Sequence, residues 1–311
     1  MMETLKRREF LDVINFKEEK FPAEKFDKSC LIYTKNNYGI FLVTTREGEN
    51  YTIKVNSYLG RLAEEIVTSL YIQKKNLNMP NLLLPEAIYI GRNPANYPLF
   101  SDEKHRLKLK ECKDANLKEI FNERLTHSYY VTKACLYNLG YYLGVHKETL
   151  TYKAFVAFSF QILAALQSLH NIGVWHRDIK PQNILICNSE LVGKGYNGIS
   201  YSGGDGKVWT IQYEDTQGRD VKIIDYGESF VMKDAKNPCV TFEYEVTVAT
   251  VSVFNVMWSK VTDKNGRSEK FNQLISLLKN CKTTIFQVLQ DADIFNELLY
   301  DNQNTYKVNI F

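Results

Sequence analysis

The stretch His176-Arg177-Asp178-Ile179-Lys180-Pro181-Gln182-Asn183-Ile184-Leu185 gathers an imidazole, a carboxylate, an ammonium and a carboxamide within a few residues. A second polar marker, Asp225-Tyr226-Gly227, closes the apolar run Val221–Ile224. One chemistry that needs such a set is phosphoryl transfer. It requires a carboxylate to orient the attacking hydroxyl and further oxygen ligands to hold a hard cation where charge builds up on the polyphosphate. An H-R-D tripeptide alone is an ordinary surface loop. K-P-x-N directly after it, and D-Y-G further on, give this one a specific chemical reading.

At these positions the sequence resembles the eukaryotic-type protein kinases. The first string matches the family's catalytic loop H-R-D-x-x-x-x-N, and the second matches D-F-G with Tyr226 in place of Phe. The resemblance implies that Asp178 is the base-like carboxylate, that Asn183 and Asp225 hold Mg²⁺, and that Lys180 reaches the transferred phosphate of ATP. By the same resemblance K-P-x-N marks serine/threonine specificity, so the implied partner is a protein with a Ser or Thr acceptor. The family's upstream lysine lies in a strand of pattern V-A-x-K. Tyr51-Thr52-Ile53-Lys54 fits, with Thr52 where Ala is usual, and Lys54 would pair with the α- and β-phosphates.

Two acids on the following helix could pair with Lys54. Glu64 has Val67 and Tyr71 at the inward helical offsets, whereas Glu65 has only Ile72; Glu64 is preferred and Glu65 stays open. The phosphate-covering loop departs from the family pattern, because the window Thr34–Phe41 keeps only Gly39 of three glycines. Asn36 and Asn37 tolerate positive φ, so a turn can form there, with less room for the backbone to approach phosphate. Tyr129–Leu139 resembles the family's hinge, with Thr132 guarding the back of an adenine pocket and Lys133 to Cys135 supplying backbone groups. A formal G-x-G-x-x-G, Gly193–Gly198, lacks a strand-to-helix context and reads as a flexible hairpin.

These residues need elements to position them. Three β-rich runs between Leu31 and Val55, separated by turn sequences, predict an antiparallel meander. Helical spacing over 61–76 predicts a helix, with Pro80 just beyond it. Leu82–Gly91 and His127–Leu136 read as strands, and the charged stretch 102–124 as an exposed excursion. From Thr151 the pattern turns helical, then gives two short β-like runs, Asn183–Cys187 and Asp220–Gly227. Residues 239–260 are rich in the β-favouring Val and Thr, and 267–300 carry helical periodicity.

The resulting expectation is an α+β, bilobal kinase-like fold. An arm over residues 1–28 precedes a kinase domain over 29–311, with a β-rich first lobe at about 29–133 and a mostly helical second lobe at about 134–311. The Gly- and Tyr-rich stretch 188–219 is an insertion, readable as an extended surface hairpin. The residues after Asp225 contain no A-P-E motif, which makes the second lobe abbreviated. Val253–Lys260 is faintly similar to the family's D-x-W-S helix, with Asn255 for Asp. Arg177 would answer a phosphorylated activation loop, with Thr241, Thr247 and Thr250 in the corresponding region. The eroded glycine loop keeps a pseudokinase-like scaffold open, and the short tail keeps a small-molecule phosphotransferase open.

Composition bounds the rest. The 311 residues are 44% hydrophobic and 24% charged, at globular averages, which excludes a disordered or collagenous chain. A net charge of +3 does not call for nucleic acid. The apolar stretch Ala154–Leu169 falls short of the roughly 18 residues of a membrane span and reads as a buried helix. The six cysteines form no C-x-x-C pair and read as free thiols. Together with a charged N-terminus, they predict an intracellular, cytoplasmic location. Richness in Lys, Asn, Ile and Tyr, with a trimmed kinase body, is similar to kinases of large DNA viruses, for which the location would be the host cell or virion.

Overall fold

The computed structural model describes residues 21–35, 38–56, 59–75, 79–91, 98–100, 127–144, 150–231, 244–280, 283–299 and 304–310. Asn36, Asn37, Thr241, the stretch 102–124 and most of the expected N-terminal arm lie outside them. Two compact units emerge. One comprises the described residues up to Ser69 together with Leu84–Ala134; the other comprises Leu70–Leu83 and the residues from Cys135 onward. The α+β kinase-like architecture expected from the sequence is the one observed.

The first unit is built on a five-stranded antiparallel sheet of order β1-β2-β3-β5-β4: β1 (Phe26–Lys35), β2 (Tyr38–Thr45), β3 (Asn50–Asn56), β4 (Ala87–Gly91) and β5 (His127–Lys133). Period-two alternation gives its two faces different chemistry. Phe41, Val43, Ile53, Val55, Tyr129 and Val131 share one face, where they pack with Phe21, Leu31 and Phe100 as the unit's core. Phe21 stacks on Tyr129 with centroids 4.5 Å apart, so the end of the N-terminal segment is core rather than a surface arm. The opposite face carries Tyr38, Thr52, Lys54, Tyr130 and Thr132, as the register dictates. The helix after the meander, α1, spans Leu59–Lys74.

The second unit surrounds α3 (Tyr152–Asn171), which follows β6 (Tyr137–Asn138) and the short α2 (Leu139–Gly144). Thr151 caps α3 by accepting from Ala154 N at 3.1 Å, and Gly173, at φ +75°, supplies the left-handed residue that ends it. With its 20 residues, α3 is the one helix among the described residues long and apolar enough to cross a membrane. Most of its side chains, including Phe155, Phe158 and Phe160, are buried inside the unit.

Around it run β7 (Val174–Trp175), β8 (Ile184–Asn188), α4 (Glu190–Gly193), β9 (Gly198–Ser202), β10 (Val208–Gln212), β11 (Arg219–Ile223) and β12 (Phe230–Val231). The chain continues through α5 (Val251–Ser259), α6 (Ser268–Lys279), α7 (Ile285–Asp291) and β13 (Thr305–Asn309). The Val- and Thr-rich stretch is therefore not a strand. A π-helical turn, Tyr244–Thr250, leads into α5, because Val246, Val251, Val253, Phe254 and Met257 form a buried helical face that overrides β-propensity.

The insertion does hold an antiparallel hairpin, β9–β10, but one that is packed into the unit rather than lying on its surface. β9 pairs antiparallel with β10 and parallel with β13, and the three form one sheet. Its Tyr201 and Trp209 pack on Phe160 of α3 at 5.3 and 5.4 Å between centroids. In the G-x-G-x-x-G string, Gly195 takes φ +86° in a turn. Gly198 lies so close to β10 that a Cβ would meet Ile211 O at 2.2 Å. The glycines serve sheet construction.

Candidate active site

The strand that ends at Asp225 is fixed on both sides before it arrives there. β11 pairs with β8, and on its other edge Ile223 N donates to Asn81 O at 2.9 Å while Leu83 N donates to Ile223 O at 3.0 Å. Gln161 of α3 clamps the strand from its face. Its Oε1 accepts from Val221 N at 2.9 Å, and its Nε2 donates to Asp220 at 3.0 Å. Burial pushes the Asp220 carboxyl above its ordinary value, and hydrogen bonds from Ser189, Gln161 and Tyr213 oppose the shift.

The residues of the His176–Asn183 loop converge within this frame. His176 is fully buried. Its Nδ1 accepts from Asp178 N at 3.3 Å, which leaves Nε2 as the protonated nitrogen that donates to Ile224 O at 2.8 Å. One ring thus ties the residue before Asp225 to the loop that carries Asp178. Arg177 and Asp225 both take φ +66°, a left-handed conformation uncommon for such residues. Their neighbours Asp178, His176 and Ile224 are the groups that this ring joins, and such strain persists only where the surroundings over-determine it.

Asp178 is held by two partners. Lys180 Nζ makes an ion pair with its Oδ2, and Asn183 Nδ2 donates to the same oxygen at 2.8 Å and to the Asp178 carbonyl at 2.9 Å. The amide nitrogen of Asn183 is therefore turned to Asp178, which leaves its side-chain oxygen as the atom available to a cation. Ile224 N donates to Asn183 O at 3.0 Å and places Asp225 next in the chain to a residue bonded to Asn183. An amide oxygen and a carboxylate are hard donors of the kind Mg²⁺ takes when substrate phosphates and water complete its octahedron. The residues present fit that ion.

Tyr226 is fully buried beside His176, with ring centroids 5.5 Å apart, and its hydroxyl donates to Ile223 O at 3.0 Å.

On the polar face of the first unit's sheet, Lys54 Nζ lies 2.6 Å from Glu65 Oε2, with side-chain exposures of 18% and 6%. The acid that makes the pair is Glu65, not the preferred Glu64. Glu65, Thr68, Ser69 and Ile72 are all buried and follow the i, i+3, i+4, i+7 positions of one helical face. Counting only apolar residues hid that face, because its middle two positions are small hydroxyl side chains. Ser69 bonds Tyr130 Oη at 2.8 Å and draws α1 onto β5.

Of the other expected residues, Thr132 is buried, with its hydroxyl 2.6 Å from that of Thr52. Lys133 Nζ donates to Tyr51 Oη at 2.8 Å and lies 3.3 Å from Glu49. The Tyr51 hydrogen bond, opposed by burial, holds the Lys133 ammonium above its usual range. Gly39 lies within β2 opposite Val55 and is part of the ladder rather than a loop. Asn255 is exposed, so α5 does not reproduce the anchoring role of the D-x-W-S helix. Thr250 is fully buried, which takes it out of the accessible phosphorylation candidates.

The free-thiol reading fails at Cys135, which is joined to Cys187 by a disulfide. β6 pairs with β8, and Leu136 N donates to Ile186 O at 3.0 Å; this pairing brings the two sulfurs together across 52 residues of sequence. Cys30 is free and exposed, and the other three cysteines lie outside the described residues.

A family model described as "Protein kinase domain" matches residues 108–250, which include β5, the Asp178 loop and Asp225. The serine/threonine-protein kinase unc-51 of Caenorhabditis elegans is 34% identical over 121 residues, covering 38% of this chain and 12% of that protein. A probable casein kinase II subunit alpha homolog of Encephalitozoon cuniculi is 56% identical over 39 residues, 12% of either chain. The matched stretches thus span about an eighth of these two curated relatives. Among solved structures, the Rad53 kinase domain with SCD2 aligns over 90% of this chain and 94% of that one, at 17% identity and a TM-score of 0.49.

Proposed function

We propose, for a chain that belongs to the eukaryotic-type protein kinases, that it transfers the γ-phosphate of ATP to serine or threonine hydroxyls of proteins. The observation that carries this reading is the Asp178 carboxylate, held by Lys180 and by an Asn183 whose amide nitrogen is turned toward it. A carboxylate fixed in this way can accept a hydrogen bond from an incoming hydroxyl and take its proton as the phosphate departs from ADP. Lys180, already beside that carboxylate, is placed to neutralise charge on the transferred group. Asn183 and Asp225 would hold Mg²⁺, which supplies charge neutralisation on the polyphosphate when bound. The Lys54 ammonium, oriented by Glu65, addresses the α- and β-phosphates. Thr132, Lys133 and Cys135 are assigned to adenine by resemblance.

The test is a transfer assay with labelled ATP and Mg²⁺, using serine, threonine and tyrosine peptides and the protein itself as acceptors. Wild-type protein should label serine or threonine peptides, and Asp178→Asn should lower the rate about 10²–10⁴-fold with nucleotide binding retained. Equal rates in wild type and Asp178→Asn would overturn the reading. The single glycine in the Thr34–Phe41 window favours one rival, a scaffold that binds nucleotide without turning it over. Thermal stabilisation by Mg-ATP with no label transferred would mark it.

A further inference from the structure

Lys54 has a second partner that the motif does not announce. Its Nζ lies 4.8 Å from the centroid of the Tyr38 ring, inside the range in which an ammonium is attracted to an aromatic face. The register explains the contact. Tyr38 of β2 stands opposite Asn56, and Ile40 stands opposite Lys54, so Tyr38 and Lys54 are diagonal neighbours on one sheet face. That spacing is within reach of a long cation and an aromatic ring. The ring is itself backed by Tyr33 of β1, with centroids 6.0 Å apart.

Glu65 and Tyr38 do different things for the ammonium. The Glu65 oxygen sets a distance to Nζ, and a lysine stem has several rotatable bonds for further contacts to order. The Tyr38 ring face supplies one such contact, from a neighbouring strand rather than from the helix. The Thr34–Phe41 window next to Lys54 lacks two of the family's three glycines, which leaves less room for backbone to approach phosphate. We infer that Tyr38 is a positioning residue, whose ring face holds the Lys54 ammonium in the orientation that receives phosphate. The inference rests on the kinase reading above for the identity of the ligand, but the contact itself does not.

The two dependences separate in one experiment on full-length wild type, Tyr38→Phe, Tyr38→Trp and Tyr38→Leu. The first readout is the rate at which Lys54 is acylated by a small amine-reactive ester, followed by peptide mass spectrometry without nucleotide. The second is Mg-ATP affinity by titration calorimetry, with KM for ATP and kcat measured separately. Phe and Trp keep the ring face and should stay within about twofold of wild type in both readouts. Leu should speed acylation of Lys54 and weaken ATP affinity about 3- to 10-fold, raising KM while kcat changes little. Melting temperatures within a few degrees show that Leu folds.

Phe behaving like Leu would overturn the inference, since the hydroxyl rather than the ring would then matter. Leu behaving like wild type, or binding ATP more tightly, would also overturn it. Failure of wild type to bind Mg-ATP would strike the kinase reading instead; the acylation series alone then decides whether the ring holds Lys54.

Discussion

Asp178 and Lys54 are both held by side chains, but their partners come from very different distances along the chain. Among the described residues, the hydrogen-bond and ion-pair partners of Asp178 lie between His176 and Asn183, and the loop is tied to the residue before Asp225 by the buried His176 ring and by the Asn183 carbonyl. Lys54 is held by an acid on a helix and a ring on a neighbouring strand. The first arrangement is written in a contiguous string and depends mainly on the frame beneath it. The second exists only once β2, β3 and α1 have assembled. The difference predicts that perturbing the frame of the second unit will loosen the loop as a body, whereas single substitutions will take the Lys54 cluster apart contact by contact.

The largest expected effect comes from the frame. The Cys135–Cys187 bond closes a 52-residue loop that contains the entire His176–Leu185 string. Loop entropy puts its contribution at roughly 4 kcal/mol. Non-reducing peptide mapping should find this pair. Cys135→Ser with Cys187→Ser should lower unfolding stability by about that amount, with faster amide exchange in β8 and β11 but not in β2 and β3. Equal loosening of both sheets would erase the contrast drawn between the two regions.

Next is the helix acid. Glu65→Gln removes the charged partner of a largely buried ammonium, a loss of about 1.5–3 kcal/mol, or roughly 10- to 100-fold in kcat/KM for ATP. Glu64→Gln should stay within about twofold. Steady-state kinetics on the two variants decides between neighbours that the sequence could not separate, and a reversed order would return the role to Glu64.

That pair shows where sequence reasoning ends. The meander, α3, the Asp178 loop and the strand before Asp225 were legible because each is local: turn residues between β-rich runs, a continuous apolar helix, a motif of fixed spacing. Glu65 was ranked behind Glu64 because its helical face is completed by the buried hydroxyl residues Thr68 and Ser69, the latter bonded to Tyr130. Cys135 and Cys187 carried no signal, since strand pairing rather than spacing joins them. The hairpin of the insertion was legible, but its burial was not, because its glycines look like linker chemistry. Its stability comes from β13, about a hundred residues further on, as the Ser200–Thr305 contact at 2.6 Å illustrates, and from the face of α3 that receives Trp209.

The smallest expected effect concerns the one departure within the second motif, Tyr226 for Phe. Its hydroxyl donates to Ile223 O, a carbonyl that also accepts from Leu83 N at 3.0 Å. Removing the hydroxyl therefore leaves that oxygen with one donor and no orphaned buried group, so the cost sits near the ordinary net value of a hydrogen bond, about 0.5–1.5 kcal/mol. The ring, packed against His176, is retained in phenylalanine. Tyr226→Phe should accordingly lower the denaturation midpoint slightly and leave kcat unchanged, because the hydroxyl secures the strand end rather than touching Asp225. A fall in kcat of tenfold or more at unchanged stability would mean that this bond sets the carboxylate itself. The Asp178 loop would then share the contact-by-contact fragility assigned to the Lys54 cluster.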